Sequence, residues 1–108
     1  MDHLIVSERC LKDRVLVEVS GSINAYSYAR FQQKLHTLIR AGDVVLDLSR
    51  ISCLSSSGVG ALISAVEDGE EFGSRFFLLS PSVIVRLAIE SSGFAHLFTI
   101  VSSENEAD

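Results

Sequence analysis

The spacing of hydrophobic and polar residues along the chain predicts where its strands and helices lie. Residues 3–9 and 14–20 are rich in β-branched residues, and in the second stretch valines occupy every second position. Such alternation is typical of a strand that buries one face. Because only a short segment, Leu-Lys-Asp, separates the two stretches, we predict an opening β-hairpin whose second strand ends at Gly21.

Three later segments carry apolar residues at helical spacing, which predicts three amphipathic helices. They span residues 24–42, 57–73 and 81–93, and a glycine closes each one. Asn24 or Ser27 caps the first helix, and Pro81 suits the first turn of the third. The side chains expected to face the core are Tyr28, Phe31, Leu35, Leu38 and Ile39, then Val59, Leu62, Ile63 and Val66, then Ile84, Leu87 and Ala88.

Apolar strands are predicted between these helices. Residues 43–49 form one that continues in extended form to residue 54, and residues 75–80 form another. Residues 96–102 form a last strand or a short helix. Strands that alternate with helices predict an α/β fold, in which helices pack against a mixed, mostly parallel sheet. We predict a single domain over residues 1–102 and a short, disordered acidic tail over residues 103–108.

Composition and charge exclude several classes of function. The chain has 108 residues and a formal net charge of −5, which argues against binding nucleic acid or anionic membranes. It has neither a signal-peptide pattern nor an apolar stretch long enough to span a bilayer, so we expect a cytoplasmic protein. The histidines lack the spacing of metal ligands, so no metal site is expected. Cys10 and Cys53 are expected to be buried, in a reducing compartment.

Three consecutive serines, Ser55 to Ser57, stand before two glycines in the stretch CLSSSGVGAL. One serine is enough to cap the second helix. A hydrolase elbow, Gly-x-Ser-x-Gly, is absent, although a Ser-His-acid triad could still form in space. A phosphate-binding loop is also unsupported, because only Gly-Val-Gly is present and no lysine lies near it. Phosphorylation fits the position best, since the amides and the dipole at a helix start favour added negative charge.

The stretch VVLDLSRISCLSSSGVGALISA resembles the core motif of STAS domains, specifically of the anti-sigma factor antagonists of bacterial partner-switching systems. The stretch VEVSGSINAYSYARF is similar to the family's Gly-x-Leu-Asp turn before the first helix. The stretch FFLLSPSVIVRLAIESSGFAHLFTI is similar to its strand, Ser-Pro-x-Val, helix and Ser-Gly-Leu-x-x-x-Phe ending. The three motifs cover nearly the whole chain in the family's order, and they imply a small STAS-type sandwich.

The resemblance implies a regulatory switch and not an enzyme. In this family the unphosphorylated antagonist binds an anti-sigma factor that is also a serine kinase of the GHKL type, and a sigma factor or another target is released. The kinase then phosphorylates the antagonist, using ATP and magnesium that belong to the kinase. A serine phosphatase resets the switch. By position the phosphorylated residue is Ser56, with Ser57 and Ser55 as alternatives, and the antagonist is a monomer that forms a heterocomplex.

Two residues depart from the family pattern. Ser55 replaces the aspartate of the core motif, and Asn24 replaces the aspartate of the turn, so two negative charges are missing beside the acceptor. Tyr26 and Tyr28 are expected to pack at the core or its rim. The predicted partner surface consists of Ser22, Asn24, Ala25, Ser55, Ser56, Ser57, Gly58, Val59 and Gly60. The competing hypotheses are a STAS-type module that binds a small ligand or nucleotide without phosphorylation, and an enzyme with a serine nucleophile.

Overall fold

The computed structural model describes residues 4–103, so most of the predicted tail, residues 104–108, lies outside the described residues. Within this range, strands and helices alternate after the opening hairpin. In chain order they are β1 (Ile5–Cys10), β2 (Arg14–Ile23), α1 (Tyr28–Ala41), β3 (Asp43–Leu54), α2 (Ser56–Phe72), β4 (Phe76–Leu79), α3 (Val83–Ser92), a 3₁₀ turn (Ala95–Leu97) and β5 (Thr99–Val101).

The strands form one mixed sheet in the order β1-β2-β3-β4-β5. The hairpin strands β1 and β2 are antiparallel, and each later pair of neighbours is parallel. A helix connects each parallel pair, because the chain must return to the opposite edge of the sheet before the next parallel strand can start. The predicted α/β fold, with a mostly parallel sheet opened by a β-hairpin, is confirmed.

The main hydrophobic core lies between the helices and one face of the sheet. Alternate residues of β3 point to opposite faces, so Val44, Leu46 and Leu48 join this core while Val45 does not. A smaller cluster on the other face contains Leu16, Val45, Leu79 and Val101. Because β3 is buried on both faces here, its sequence is a continuous apolar run and does not alternate.

Strand β2 continues past the glycine at which the sequence pattern ends it. Gly21 has a φ of 104°, a conformation that favours glycine, yet β2 runs on to Ile23. The pairing with β3 survives because the register shifts twice, between Glu18 and Ser20 and between Gly21 and Ser22. The predicted strand end at Gly21 is therefore wrong, and the extra residues carry β2 to the edge of the sheet where α2 begins.

Helix α3 buries a different face from the one that its sequence predicts. Val85 and Ile89 are 0% and 1% exposed, whereas the predicted core residues Ile84 and Leu87 are 47% and 58% exposed. Ala88, also predicted to face the core, is half-buried. The first turns of this helix are apolar on most sides, so spacing alone defines no single buried face. The prediction of the inner face of α3 is wrong.

The rotation of α3 is set by the serine that caps it. The backbone N–H of Ser82 donates to the carbonyl oxygen of Leu48 at 3.1 Å, and its Oγ donates to that of Ile51 at 2.9 Å. The same Oγ accepts a bond from the N–H of Val85 at 3.4 Å. Pro81 therefore precedes the cap. The prediction that Pro81 lies in the first turn of the helix is wrong.

Helix α2 packs through small residues. Its buried positions include Ala61, Ala65 and Gly69, whereas Ile63 and Val66, which the sequence predicts to be in the core, are only half-buried. Small side chains let a helix approach its neighbours closely, so the tightest contacts of α2 do not follow its most apolar stripe.

Both cysteines lie on the surface. Cys10, at the end of β1, and Cys53, near the end of β3, are free and exposed. The prediction that they are buried small hydrophobic residues is wrong, because both lie at or near the ends of their strands, where the side chains are left exposed.

The burial of α3 can be tested with a pair of alanine variants. We expect Ile89→Ala to lower the free energy of unfolding by about 2–4 kcal/mol, because it leaves a cavity in the core. Leu87→Ala is the matched control and should cost less than about 1 kcal/mol, since Leu87 is mostly solvated. Urea unfolding followed by circular dichroism measures both values. A larger loss for Leu87→Ala would restore the face that the sequence predicts.

Candidate functional site

The first turn of α2 lies directly beside the end of β2. Ile23 pairs with Leu54 at the last position of the β2–β3 ladder. The next residue, Ser55, donates its backbone N–H to the carbonyl oxygen of Ile23 at 2.9 Å. Because β2 and β3 are parallel, their carboxyl ends meet at one edge of the sheet, which is where α/β folds commonly place their sites. The structure therefore brings together residues 22–25 and 55–60, as the predicted partner surface requires.

The three serines at this edge have different environments. Ser55 is the N-cap of α2, since its Oγ accepts a hydrogen bond from the N–H of Gly58 at 3.1 Å. Ser56 is the first helical residue and is exposed, and Ser57 is half-buried. Capping thus accounts for Ser55 alone. It leaves Ser56 exposed at the amino end of a 17-residue helix.

Asn24 organises the neighbouring loop between β2 and α1. Its Oδ1 accepts hydrogen bonds from the backbone N–H groups of Tyr26 at 2.8 Å and Ser27 at 3.1 Å, and its Nδ2 donates to Ser22 Oγ at 3.3 Å. The Oγ of Ser27 donates in turn to the carbonyl oxygen of Ser22 at 2.9 Å. These bonds form an Asx turn, so Asn24 shapes the approach to α1 while Ser27 takes the N-cap position.

Gly58 lets α2 approach the strands beneath it. A Cβ atom at this position would lie 2.5 Å from Leu54 Cδ1, 2.8 Å from Ile23 Cγ2 and 3.1 Å from the carbonyl oxygen of Ile23. Gly60, two residues later, is exposed and would place a Cβ in open space. The two glycines of the motif therefore differ, because only Gly58 is required by the packing of the chain on itself.

The predicted partner surface includes both supporting and accessible residues. Ser22 and Val59 are each 7% exposed and Gly58 is buried, so these three shape the edge from beneath. The exposed members are Ala25, Ser56 and Gly60, and the half-buried ones are Asn24, Ser55 and Ser57. Direct contact with a partner remains a prediction for all nine residues. Only the exposed and the half-buried residues offer accessible surface for such a contact.

Tyr26 is a feature of this edge that the sequence did not indicate. Its side chain is 95% exposed, so the prediction that it packs at the core or its rim is wrong. Tyr28, by contrast, packs against the main core. The Asx turn that Asn24 makes holds the backbone of Tyr26 in the loop, outside the helix, and no periodic pattern reports on such a position.

Neither a catalytic nor a metal-binding arrangement surrounds the serines in the described part of the chain. The imidazole Nδ1 of His36 lies 2.9 Å from Asp68 Oδ2, between α1 and α2, and is not hydrogen-bonded to Ser55, Ser56 or Ser57. Among residues 4–103, groups of three or more metal-ligating side chains do not occur. No helix in that range is both long and apolar enough to cross a membrane.

The different roles of the two glycines give a test of the site's geometry. We expect Gly58→Ala to lower the free energy of unfolding by about 1–3 kcal/mol, because the new methyl group overpacks the contact with β2. Gly60→Ala should raise it by about 0.5–1 kcal/mol, since alanine is the better helix former and meets nothing there. Thermal and urea unfolding measure both changes. Equal effects of the two substitutions would contradict the close approach at Gly58.

Comparisons with known proteins agree with this architecture. The family model for the STAS domain matches residues 6–107. An anti-sigma F factor antagonist from Lysinibacillus sphaericus is 24% identical over 104 residues, which cover 94% of this chain and 89% of that protein. The structure of an anti-sigma factor antagonist from Mycobacterium paratuberculosis superposes with a TM-score of 0.83 at 21% identity, covering 97% of this chain and 91% of the other.

The anti-sigma factor antagonist SpoIIAA shares the fold in two forms. Its unphosphorylated form gives a TM-score of 0.77 at 23% identity, over 95% of this chain and 92% of the other. The phosphorylated form of SpoIIAA, the Bacillus cell fate determinant, gives 0.71 at 22% identity, over 95% and 96%. With the family model matching nearly all of the sequence, the chain belongs to the STAS domain family, and the relatives that it resembles are anti-sigma factor antagonists.

Proposed function

We propose that this protein is an anti-sigma factor antagonist that phosphorylation of Ser56 switches off. In the unphosphorylated state it binds an anti-sigma factor that is also a serine kinase of the GHKL type, and the binding releases a sigma factor or another target. The observation that carries the proposal is the difference between the serines. Ser55 already caps α2, so exposed Ser56 is free to serve as the phosphate acceptor.

The position of Ser56 suits a phosphate without refolding of the domain. The first turn of a helix has unpaired backbone N–H groups and the positive end of the helix dipole, and both stabilise an anion. A phosphoserine carries about −1.5 to −2 charges at neutral pH. No hydrogen bond within residues 4–103 depends on the hydroxyl group of Ser56, so modifying it leaves the cap and the β2 contact in place.

The chemistry of the switch belongs to the partner. Ser56 Oγ attacks the γ-phosphorus of the kinase's ATP, the bond to the bridging oxygen of ADP breaks, and the hydroxyl proton passes to a base of the kinase. The antagonist therefore needs neither metal nor cofactor of its own. A serine phosphatase hydrolyses the phosphoserine and restores the binding state. We propose that this cycle runs in the cytoplasm, with the antagonist as a monomer that forms a heterocomplex.

Dissociation follows from the cost of burying the phosphate. A dianion that enters an interface loses its hydration, which costs several kcal/mol unless the partner supplies charged groups to pair with it. Each 1.4 kcal/mol lowers the affinity about tenfold. A loss of two or three times this energy lowers the affinity about 100- to 1000-fold, which is enough to dissociate a tight complex. A phosphate on one exposed side chain is therefore sufficient to change partners.

The first experiment compares three forms of the protein as bait in lysate from its native host. We expect the wild type and Ser56→Ala to retain a GHKL-type kinase, identified by mass spectrometry, because a small neutral residue preserves the contact surface. Ser56→Asp should lose it, with binding weakened about tenfold or more, because it buries a charge. Equal capture of the kinase by all three forms would contradict the switch and favour a module that binds a small ligand instead.

The captured kinase then identifies the acceptor. Incubated with γ-labelled ATP, it should label the wild type and leave Ser56→Ala unlabelled, and peptide mapping should place the phosphate on Ser56. Ser57→Ala is the matched control, because it removes a neighbouring hydroxyl group and should be labelled like the wild type. Label that persists in Ser56→Ala would assign the acceptor to Ser55 or Ser57.

A further inference from the structure

Among residues 4–103, the part of the carboxyl edge around Ser56 carries no acidic residue, although the protein as a whole is acidic. Three neighbouring segments build this part of the edge: the end of β2 with the start of α1, the end of β3 with the start of α2, and the end of β4 with the start of α3. They correspond to residues 19–33, 48–66 and 76–89, and none of these contains Asp or Glu. The full chain has 14 acidic residues and a net charge of −5, so the acids are concentrated elsewhere.

Carboxylates gather at the opposite edge, where they neutralise the local cations. Asp13 and Asp43 stand at the starts of β2 and β3, and they pair with Arg14 at 3.2 Å and Arg75 at 3.1 Å. Four further acids fall in the last part of α2, which ends at this same edge: Glu67, Asp68, Glu70 and Glu71. Within the described residues, the carboxyl edge around Ser56 and the opposite edge therefore differ in the sign of their charge.

Exposed arginines stand on either side of the serines at this part of the carboxyl edge. Arg30 lies in the first turn of α1 and Arg86 in the first turn of α3, and both are exposed. Neither forms an ion pair with a carboxylate of residues 4–103. Their charges are therefore not neutralised from within the described part of the domain. Exposed Tyr26, in the same loop as Asn24, adds an aromatic side chain of the kind that often anchors interfaces.

We propose that the carboxyl edge docks against an acidic surface of the anti-sigma partner, with carboxylates facing the edge that holds Ser56. This inference rests on the proposed function and names the chemistry of its partner. The two departures from the family pattern belong to the same arrangement, because neutral Asn24 and Ser55 remove the negative charge that would repel such a surface. Complementary charge of this kind guides the encounter and sets which partners are accepted.

An acidic partner surface gives phosphorylation a second way to break the complex. A phosphate on Ser56 would face the partner's carboxylates, so like-charge repulsion adds to the cost of dehydration. The repulsion acts over about a Debye length, roughly 8 Å at physiological ionic strength, so it slows re-binding as well as weakening the contact. The antagonist is thereby released and also kept from returning until the phosphate is removed.

The sharpest test is Asn24→Asp, which adds one charge and almost no change of shape. A carboxylate at residue 24 can still accept the two bonds from the N–H groups of Tyr26 and Ser27. It cannot donate to Ser22 Oγ as Asn24 Nδ2 does, but the hydroxyl group of Ser22 can donate to the carboxylate instead, so the loop keeps its conformation. Binding to the captured kinase is measured by calorimetry at about 50 mM and about 500 mM salt. We expect a two- to fivefold weakening at low salt, roughly the effect of one exposed charge, and a smaller change at high salt.

Arg40→Gln is the matched control. It changes the net charge by the same amount but lies about 18 Å from the start of α1, near the other end of the helix, at 1.5 Å per residue. We expect its binding to equal that of the wild type. Tighter binding of Asn24→Asp, or no change at either salt concentration, would overturn the acidic surface while leaving the switch at Ser56 intact. Failure of the wild type to bind any GHKL-type kinase would overturn the proposed function and this inference with it.

Discussion

The close contact between the start of α2 and the end of β2 is the constraint on which the site depends. The Ser55 amide bonds to the carbonyl oxygen of Ile23, and Gly58 leaves no side chain between the helix and the strands beneath it. This contact exists only because β2 runs past Gly21 to Ile23, through two shifts in its pairing with β3. A shorter β2 would leave the first turn of α2 without support, and the loop of Asn24 would not lie beside it.

The contact also explains why neighbouring serines have different environments. The helix start requires one side-chain acceptor, which Ser55 provides, and the following residue then lies on the outer side of the turn. In the proposed function, structural and regulatory demands therefore fall on different residues, so that a change at Ser56 need not alter the stability of the helix. This separation is what a switch requires, because both of its states must retain the same fold.

Charge along the chain is organised by the same topology. Strands β2 to β5 run in one direction, so the starts of the helices meet at one edge of the sheet and their ends meet at the other. Acidic residues at the ends of helices and the starts of strands thus fall far from Ser56, although they are scattered in the sequence. The charge is therefore distributed unevenly over the surface. The net charge of −5 does not reveal this distribution, because it shows only that the protein as a whole is acidic.

The order of the elements and most helix ends could be predicted from the sequence, because these features depend on local signals. Glycines close α1, α2 and α3 where the sequence places them, and alternating valines identify the hairpin. The buried face of α3, the length of β2 and the exposure of Tyr26 and both cysteines became known from the folded structure. These features depend on contacts between distant residues, such as Ser82 with Ile51, and a nearly uniform apolar pattern cannot specify them.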